Sequence, residues 1–238
     1  EITSHIFERE DEKTGKRLID EILGVAKQKG TGMWTSQVAM DLQVPIPTID
    51  LAVAMRNMSA FAVERDQASS TYQRAIDLDG VDSGSFVKQL GAALYAAVII
   101  TYAQGLAVLT SASEEFGYHL KIDDVARIWR GGCIIRAALL EDIYTAFHAR
   151  NDLPNLLLDT NVSRKVSENQ EDLRRVVRHA ARLGVPVPGL MASLAYLDAY
   201  RSRQLPANLI QAQRDYFGSH TYERVDAEGT FHTEWEKT

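Results

Sequence analysis

From Phe86 to Phe116 the chain repeats apolar residues at three- and four-residue spacings without a proline, long enough for about 45 Å of helix. Alanines at 92, 93, 96, 97, 103 and 107 share one side of that helix and let neighbours approach closely. A helix of this length needs other helices wrapped around it, so it is expected to be the central element of an all-α fold. Its most apolar window, Leu90 to Val108, carries Tyr95, Tyr102 and Gln104 within an amphipathic pattern. That favours a buried core helix over a membrane span.

Further helical periodicity runs over about Leu18 to Ala26, Val38 to Leu42, Thr48 to Gln67, Ile122 to Arg130, Ile134 to Ala149, Thr160 to Leu183 and Pro188 to Arg203. Asn151-Asp-Leu-Pro154 and Gly184-Val-Pro-Val-Pro188 break it, and Pro206 opens a last helix. Beyond Gly218 the pattern becomes extended, with Thr221 to Val225 and Thr230 to Trp235 set around a turn at Asp226-Ala-Glu-Gly229. Two regions are therefore expected: a large helical domain over 1–203, and a tail over 204–238 with a short hairpin. Tyr222, Val225, Phe231 and Trp235 load that tail with apolar surface for which it has no core of its own, so it should dock elsewhere, on a second subunit if its own domain is out of reach.

Charge and chemistry narrow the function. A net charge of -6 and a pI near 5.6 argue against nucleic acid, which requires a basic stripe. One cysteine, Cys133, permits no intrachain disulfide and suits the cytoplasm. No basic leader precedes an apolar stretch, and the opening Glu1-Ile-Thr-Ser-His-Ile-Phe-Glu reads as mid-helix without initiator Met or cap, as a piece of something longer does. His5, His119, His148, His179 and His232 lack the spacings and cysteine partners of zinc sites, so no metal is expected. The acidic pairs Glu114-Glu115 and Asp123-Asp124 read as surface charge, because adjacent helical residues do not face one another.

Two stretches collect groups suited to phosphate. Leu209 to Tyr222 brings together Arg214, Tyr216, Gly218 and His220. Arginine offers a planar fork of donors, histidine a donor whose charge changes near neutral pH, and Gly218 either positive φ or close approach. Periodicity alone reads the same stretch as a helix end and an ordinary loop. Lys29-Gly30-Thr31-Gly32 lacks the P-loop spacing; by itself it reads as the glycine cap of a helix ending at Lys27, or as freed amides with a lysine charge and a hydroxyl. Arg56, on a helix, reads by itself as a solvated side chain.

The wording of these stretches decides between the alternatives. Ala207 to Arg224 (ANLIQAQRDYFGSHTYER) followed by Gly229 to Trp235 (GTFHTEW) resembles the C-terminal tail of decarboxylating 6-phosphogluconate dehydrogenases. Lys29-Gly-Thr-Gly-Met-Trp-Thr-Ser36 and Arg130-Gly-Gly-Cys-Ile-Ile-Arg136 match the same family in order and separation, so the resemblance spans essentially the whole chain. It implies that Lys29, Thr31 and Arg56 bind the phosphate of 6-phosphogluconate. It further implies that Arg214 on phosphate, and His220 on phosphate or sugar hydroxyls, reach the substrate of the partner subunit, which makes a homodimer with exchanged tails obligatory. Arg130 to Arg136 is expected to be a close-packed helix junction around an inert, buried thiol. Met33 stands where the family commonly has lysine, and the acidic stretch Ala75 to Asp82 receives no role.

The family oxidises 6-phosphogluconate at C3 with NADP, decarboxylates the keto acid and tautomerises the enediol to ribulose 5-phosphate. The chain has neither a GxGxxG motif nor an alternating strand-helix run. The resemblance therefore puts NADP, and the lysine and glutamate acid/base groups, in a segment preceding Glu1, and predicts that this chain alone does not catalyse. A noncatalytic helical dimerisation module is the alternative, opposed by the retained set of phosphate ligands.

Overall fold

The computed structural model describes residues 2–73, 82–133, 135 and 137–235, and divides into two compact units, Glu1–Tyr196 and Leu197–Thr238. The first holds α1 (Ile2–Glu8), α2 (Leu18–Glu21), α3 (Thr31–Asp41), α4 (Pro47–Ser59), α5 (Ala62–Thr71), α6 (Ser83–Glu115), α7 (Ile122–Gly132), α8 (Leu139–Ala149), a 3-10 turn at Leu156–Leu158, α9 (Thr160–Leu183) and most of α10 (Pro188–Tyr200). The second holds α11 (Ala207–Gly218) and an antiparallel pair, β1 (Tyr222–Glu223) and β2 (Thr230–Phe231). The all-α class with a hairpin tail is thus what the chain adopts.

Helix α6 is the central element. Asp82 caps it by accepting from the Ser85 N–H at 2.8 Å, so it begins slightly before the apolar pattern does. By length and composition α6 could cross a membrane, but Ala93, Ala96, Ala97, Ile100 and Ala103 are buried in a stripe of three- and four-residue steps. Its main partner is α9, whose Val162, Val166, Leu173, Val176 and Ala180 form the matching apolar stripe of an otherwise charged helix. Small side chains on one face and branched ones on the other give the close packing that the alanine pattern predicts. Asp159 caps α9 through the Asn161 and Val162 amides, and Gly184 ends it at φ 62°.

One polar chain crosses this core. The Thr48 N–H donates to Gln104 Oε1 (3.0 Å), and Gln104 Nε2 donates to Thr48 Oγ1 (2.9 Å). Thr48 Oγ1 lies 3.1 Å from Ser193 Oγ, which itself donates to the Gly189 carbonyl at 2.8 Å. Gln104, Thr48 and Ser193 are all buried, so the network fixes the start of α4 on α6 and α10.

Several sequence expectations are corrected. The periodicity over Leu18 to Ala26 yields only the four residues of α2, because Ile22 and Leu23 have no surface to pack on, being 57% and 84% exposed. A short helix containing Gly24 does not sustain itself without such packing. The Thr48 to Gln67 helix is broken at Ala60 and Phe61. The helix expected from Ile134 begins at Leu139, with Ile134 itself and Arg136 outside the described residues. Gly131 and Gly132 show no close packing among the described residues: a methyl group on either meets none of them within 4 Å. Gly132 instead takes φ 147°, and Cys133 is half-buried rather than buried, donating to the Trp129 carbonyl. The stretch Ala75 to Val81 also lies outside the described residues.

Candidate functional site

The five candidate ligands fall into two clusters, one in each unit. In the first, the chain from Ala26 to Lys29 forms neither helix nor strand and is tied to the C-terminal end of α4. The Ala26 N–H donates to Ser59 Oγ (2.9 Å), Gln28 Nε2 donates to Asn57 Oδ1, and Arg56 Nη2 donates to the Lys27 carbonyl. Arg56 is therefore neither idle nor merely solvated: it holds the loop that carries Lys29.

The loop does not end a helix, as its glycines alone suggest; it begins one. Gly30 takes φ 100° at the N-cap of α3 and Thr31 is its first residue. No side chain caps α3, so the amides of its first turn have no intrahelical acceptor and point out of the N-terminus with the positive end of the helix dipole. Gly32 has a different reason to be glycine. A Cβ there would meet Val53 Cγ2 at 3.0 Å, so its absence lets α3 lie against α4. Lys29, Thr31 and Arg56 thus share one neighbourhood of exposed donors, two of them cationic.

In the second unit, Arg214 lies four residues before the end of α11 and His220 two residues past it. Gln211 connects them: its Oε1 accepts from Arg214 Nη1 (3.2 Å), and its Nε2 donates to the carbonyls of His220 (3.1 Å) and Thr221. Gly218 serves by close approach, since a Cβ would stand 3.0 Å from His220 Cδ2 and 3.1 Å from Nε2. Positive φ appears instead at Ser219 (53°) and Thr221 (50°), on either side of His220.

Asp215 organises this unit, and the sequence analysis missed it. It is fully buried and accepts from the Thr221 N–H and His232 Nδ1 on Oδ1 (2.9 Å each). Its Oδ2 accepts from the Thr233 N–H (3.0 Å) and Trp235 Nε1 (2.9 Å). Burial pushes this carboxyl up, but the bonds from His232, Thr233 and Trp235, with the charge of His232, outweigh it and hold it at about 2. These bonds add to the short ladder of the hairpin, which among the described residues pairs Tyr222 with Phe231 and Glu223 with Thr230. The tail also buries part of its apolar load itself. Tyr222 stacks on Phe231 and Trp235 lies beside Tyr216, while Val225 and Phe217 stay 99% and 84% exposed.

The other sequence candidates separate. Asp123 pairs with His148 (3.1 Å), whose hydrogen bond lowers the carboxyl, and Asp124 pairs with Arg127 (2.8 Å), so the two carboxylates do not work together. Among the described residues no group of three or more metal-ligating side chains converges. A groove of about 920 Å³ between Leu23–Val25 and α5 contains none of the five candidates.

Comparison with known proteins shows the family. Residues 1–235 match the family model for the 6-phosphogluconate dehydrogenase C-terminal domain. The chain is 50% identical to the NADP(+)-dependent, decarboxylating 6-phosphogluconate dehydrogenase of Bacillus subtilis, covering 100% of this chain and 51% of that one. It is 46% identical to decarboxylating 6-phosphogluconate dehydrogenase 2 of Arabidopsis thaliana, over 100% of this chain and 50% of the relative. A solved Plasmodium falciparum 6-phosphogluconate dehydrogenase, described in its apo form, with its cofactor NADP+ and with its substrate 6-phosphogluconate, superposes with a TM-score of 0.95 at 43% identity. That match covers 98% of this chain and 50% of the solved one, so the chain spans about half the length of these relatives. By its sequence along nearly its whole length and by its fold, the chain belongs to the 6-phosphogluconate dehydrogenase family, whose C-terminal domain it matches.

Proposed function

We propose that this chain is the substrate-holding and dimer-forming half of an NADP-dependent, decarboxylating 6-phosphogluconate dehydrogenase of the pentose phosphate pathway, acting in the cytoplasm. Residues 1–203 bind substrate and form the dimer, and residues 204–238 reach the partner subunit. The observation that carries this reading is the uncapped start of α3, where free amides lie beside Lys29 and Thr31 on a loop held by Arg56. Amides at a helix N-terminus and nearby cations suit a phosphate dianion. Arg214 and His220 of the partner subunit complete the shell, supplying a bidentate fork and a second donor. Nucleic acid and membrane are not partners.

Chemistry at C3 and C1 lies outside this chain. Its only sheet among the described residues has two residues per strand, which does not fit a dinucleotide. NADP is assigned to the N-terminal half of the full-length enzyme. Holding the phosphate contributes by fixing the sugar chain against the reacting groups, so remote binding energy is converted into orientation. In calorimetric titration of the full-length protein with 6-phosphogluconate, replacing Lys29, Arg56 or Arg214 by alanine should weaken saturable binding while the mass in solution stays that of a dimer. A folded dimer whose affinity is indifferent to all three replacements would leave a noncatalytic dimerisation module as the better reading.

A further inference from the structure

We infer that Gln211 is a positioning residue that sets Arg214 and His220 as one unit toward the substrate phosphate; the inference rests on the reading of those two side chains as phosphate ligands. Gln211 lies three residues before Arg214 on α11, on the same helical face. Its single planar amide makes all three links, accepting from the guanidinium and donating to the carbonyls of His220 and Thr221. The orientation of that amide is fixed by chemistry. A guanidinium only donates and a main-chain carbonyl only accepts, so the flipped amide would set donor against donor and acceptor against acceptor.

The turn around His220 needs such a clamp. Ser219 and Thr221 both occupy the left-handed region, which is costly for residues with a Cβ and persists only where surrounding bonds over-determine it. Asp215 holds the amide side, its carbonyl accepting from Ser219 N–H and its carboxylate from Thr221 N–H, both at 2.9 Å. Gln211 holds the carbonyl side and also binds Arg214. Fixing one N–H of the guanidinium restricts the plane in which its remaining donors meet a phosphate. Gly218, having no Cβ, leaves the space that the His220 ring occupies. The two proposed ligands are thereby pre-oriented before substrate arrives, and less freedom is lost on binding.

The test is steady-state kinetics of the full-length enzyme with 6-phosphogluconate for Gln211→Ala, Gln211→Met, Arg214→Ala and the double variant Gln211→Ala/Arg214→Ala. Gln211→Met keeps the side-chain length while removing all three hydrogen bonds, so it serves if the alanine variant fails to fold. Both Gln211 variants should raise KM about fivefold to tenfold, with any fall in kcat smaller than the rise in KM. The double variant should lose less than the sum of the singles, because much of the Gln211 effect passes through Arg214. An unchanged KM in folded Gln211→Met, or fully additive losses, would overturn the positioning role while leaving Arg214 as a ligand. If Arg214→Ala itself leaves KM unchanged, the phosphate reading falls, and this inference with it.

Discussion

Replacing Gln104 by leucine should destabilise the helical unit even though it makes its longest helix more apolar. Gln104 is fully buried, and its amide accepts from the Thr48 N–H while also donating to the Thr48 hydroxyl. Leucine removes two hydrogen bonds worth about 1 kcal/mol each and leaves a buried main-chain donor unpaired at about 1–3 kcal/mol. Burial of the new apolar side chain offsets roughly 1–2 kcal/mol. The expected net loss is therefore about 2 kcal/mol, or about 4–8 °C in Tm for a chain of this size. Ser193→Ala should cost less, about 1 kcal/mol, because it removes the end of the network and leaves the Thr48 N–H paired. Urea and thermal unfolding followed by far-ultraviolet circular dichroism measure both. A Gln104→Leu protein as stable as the parent, or no less stable than Ser193→Ala, would refute the argument that this network anchors α4.

Other perturbations probe the two clusters. Gly32→Ala places a methyl 3.0 Å from Val53 Cγ2 and should cost about 1–3 kcal/mol as α3 moves off α4, with a matching loss of substrate affinity. Gly218→Ala should leave stability unchanged or slightly raised, because alanine favours helix, yet weaken 6-phosphogluconate binding by displacing the His220 ring; equal affinity would contradict the role of that placement of the ring. Asp215 gives a pH signature. Its carboxyl titrates near 3.8 when unfolded and at about 2 when folded, so the unfolded chain takes up the proton first and stability falls as pH falls through that window. The contribution is complete above the unfolded value, and the Trp235 indole N–H resonance, bound to Asp215, should shift across the same range; Asp215→Asn should abolish the transition.

The elements legible in the sequence are those whose causes are local. Thr160–Leu183 follows from an apolar stripe, an Asp cap and a terminal glycine, and the structure returns the same span. The hairpin is signalled by Gly229 between two extended stretches, although only two residues of each pair as strand. Gly30 shows the limit: a glycine after an apolar stretch reads as a helix end, but packing gives Leu18 to Ala26 nothing to cover, and the same glycine starts α3. Asp215 was illegible because its partners Thr221, His232, Thr233 and Trp235 come 6, 17, 18 and 20 residues later. The Gln211 to Arg214 step is readable as helical spacing, whereas its link to His220 depends on the left-handed turn at Ser219.

Sharing of the phosphate site between subunits is the central claim, and subunit complementation tests it most directly. Full-length enzymes carrying Lys29→Ala and Arg214→Ala are each prepared as dimers, assayed at a substrate concentration at which neither turns over measurably, mixed in equal amounts, dissociated and allowed to reassociate. If each site draws Lys29 from one chain and Arg214 from the other, half of the dimers are mixed and each has one intact site. Activity should then return to about one quarter of the parent enzyme. A reassociated mixture no more active than its separate components would contradict a shared site and place all five ligands within a single chain.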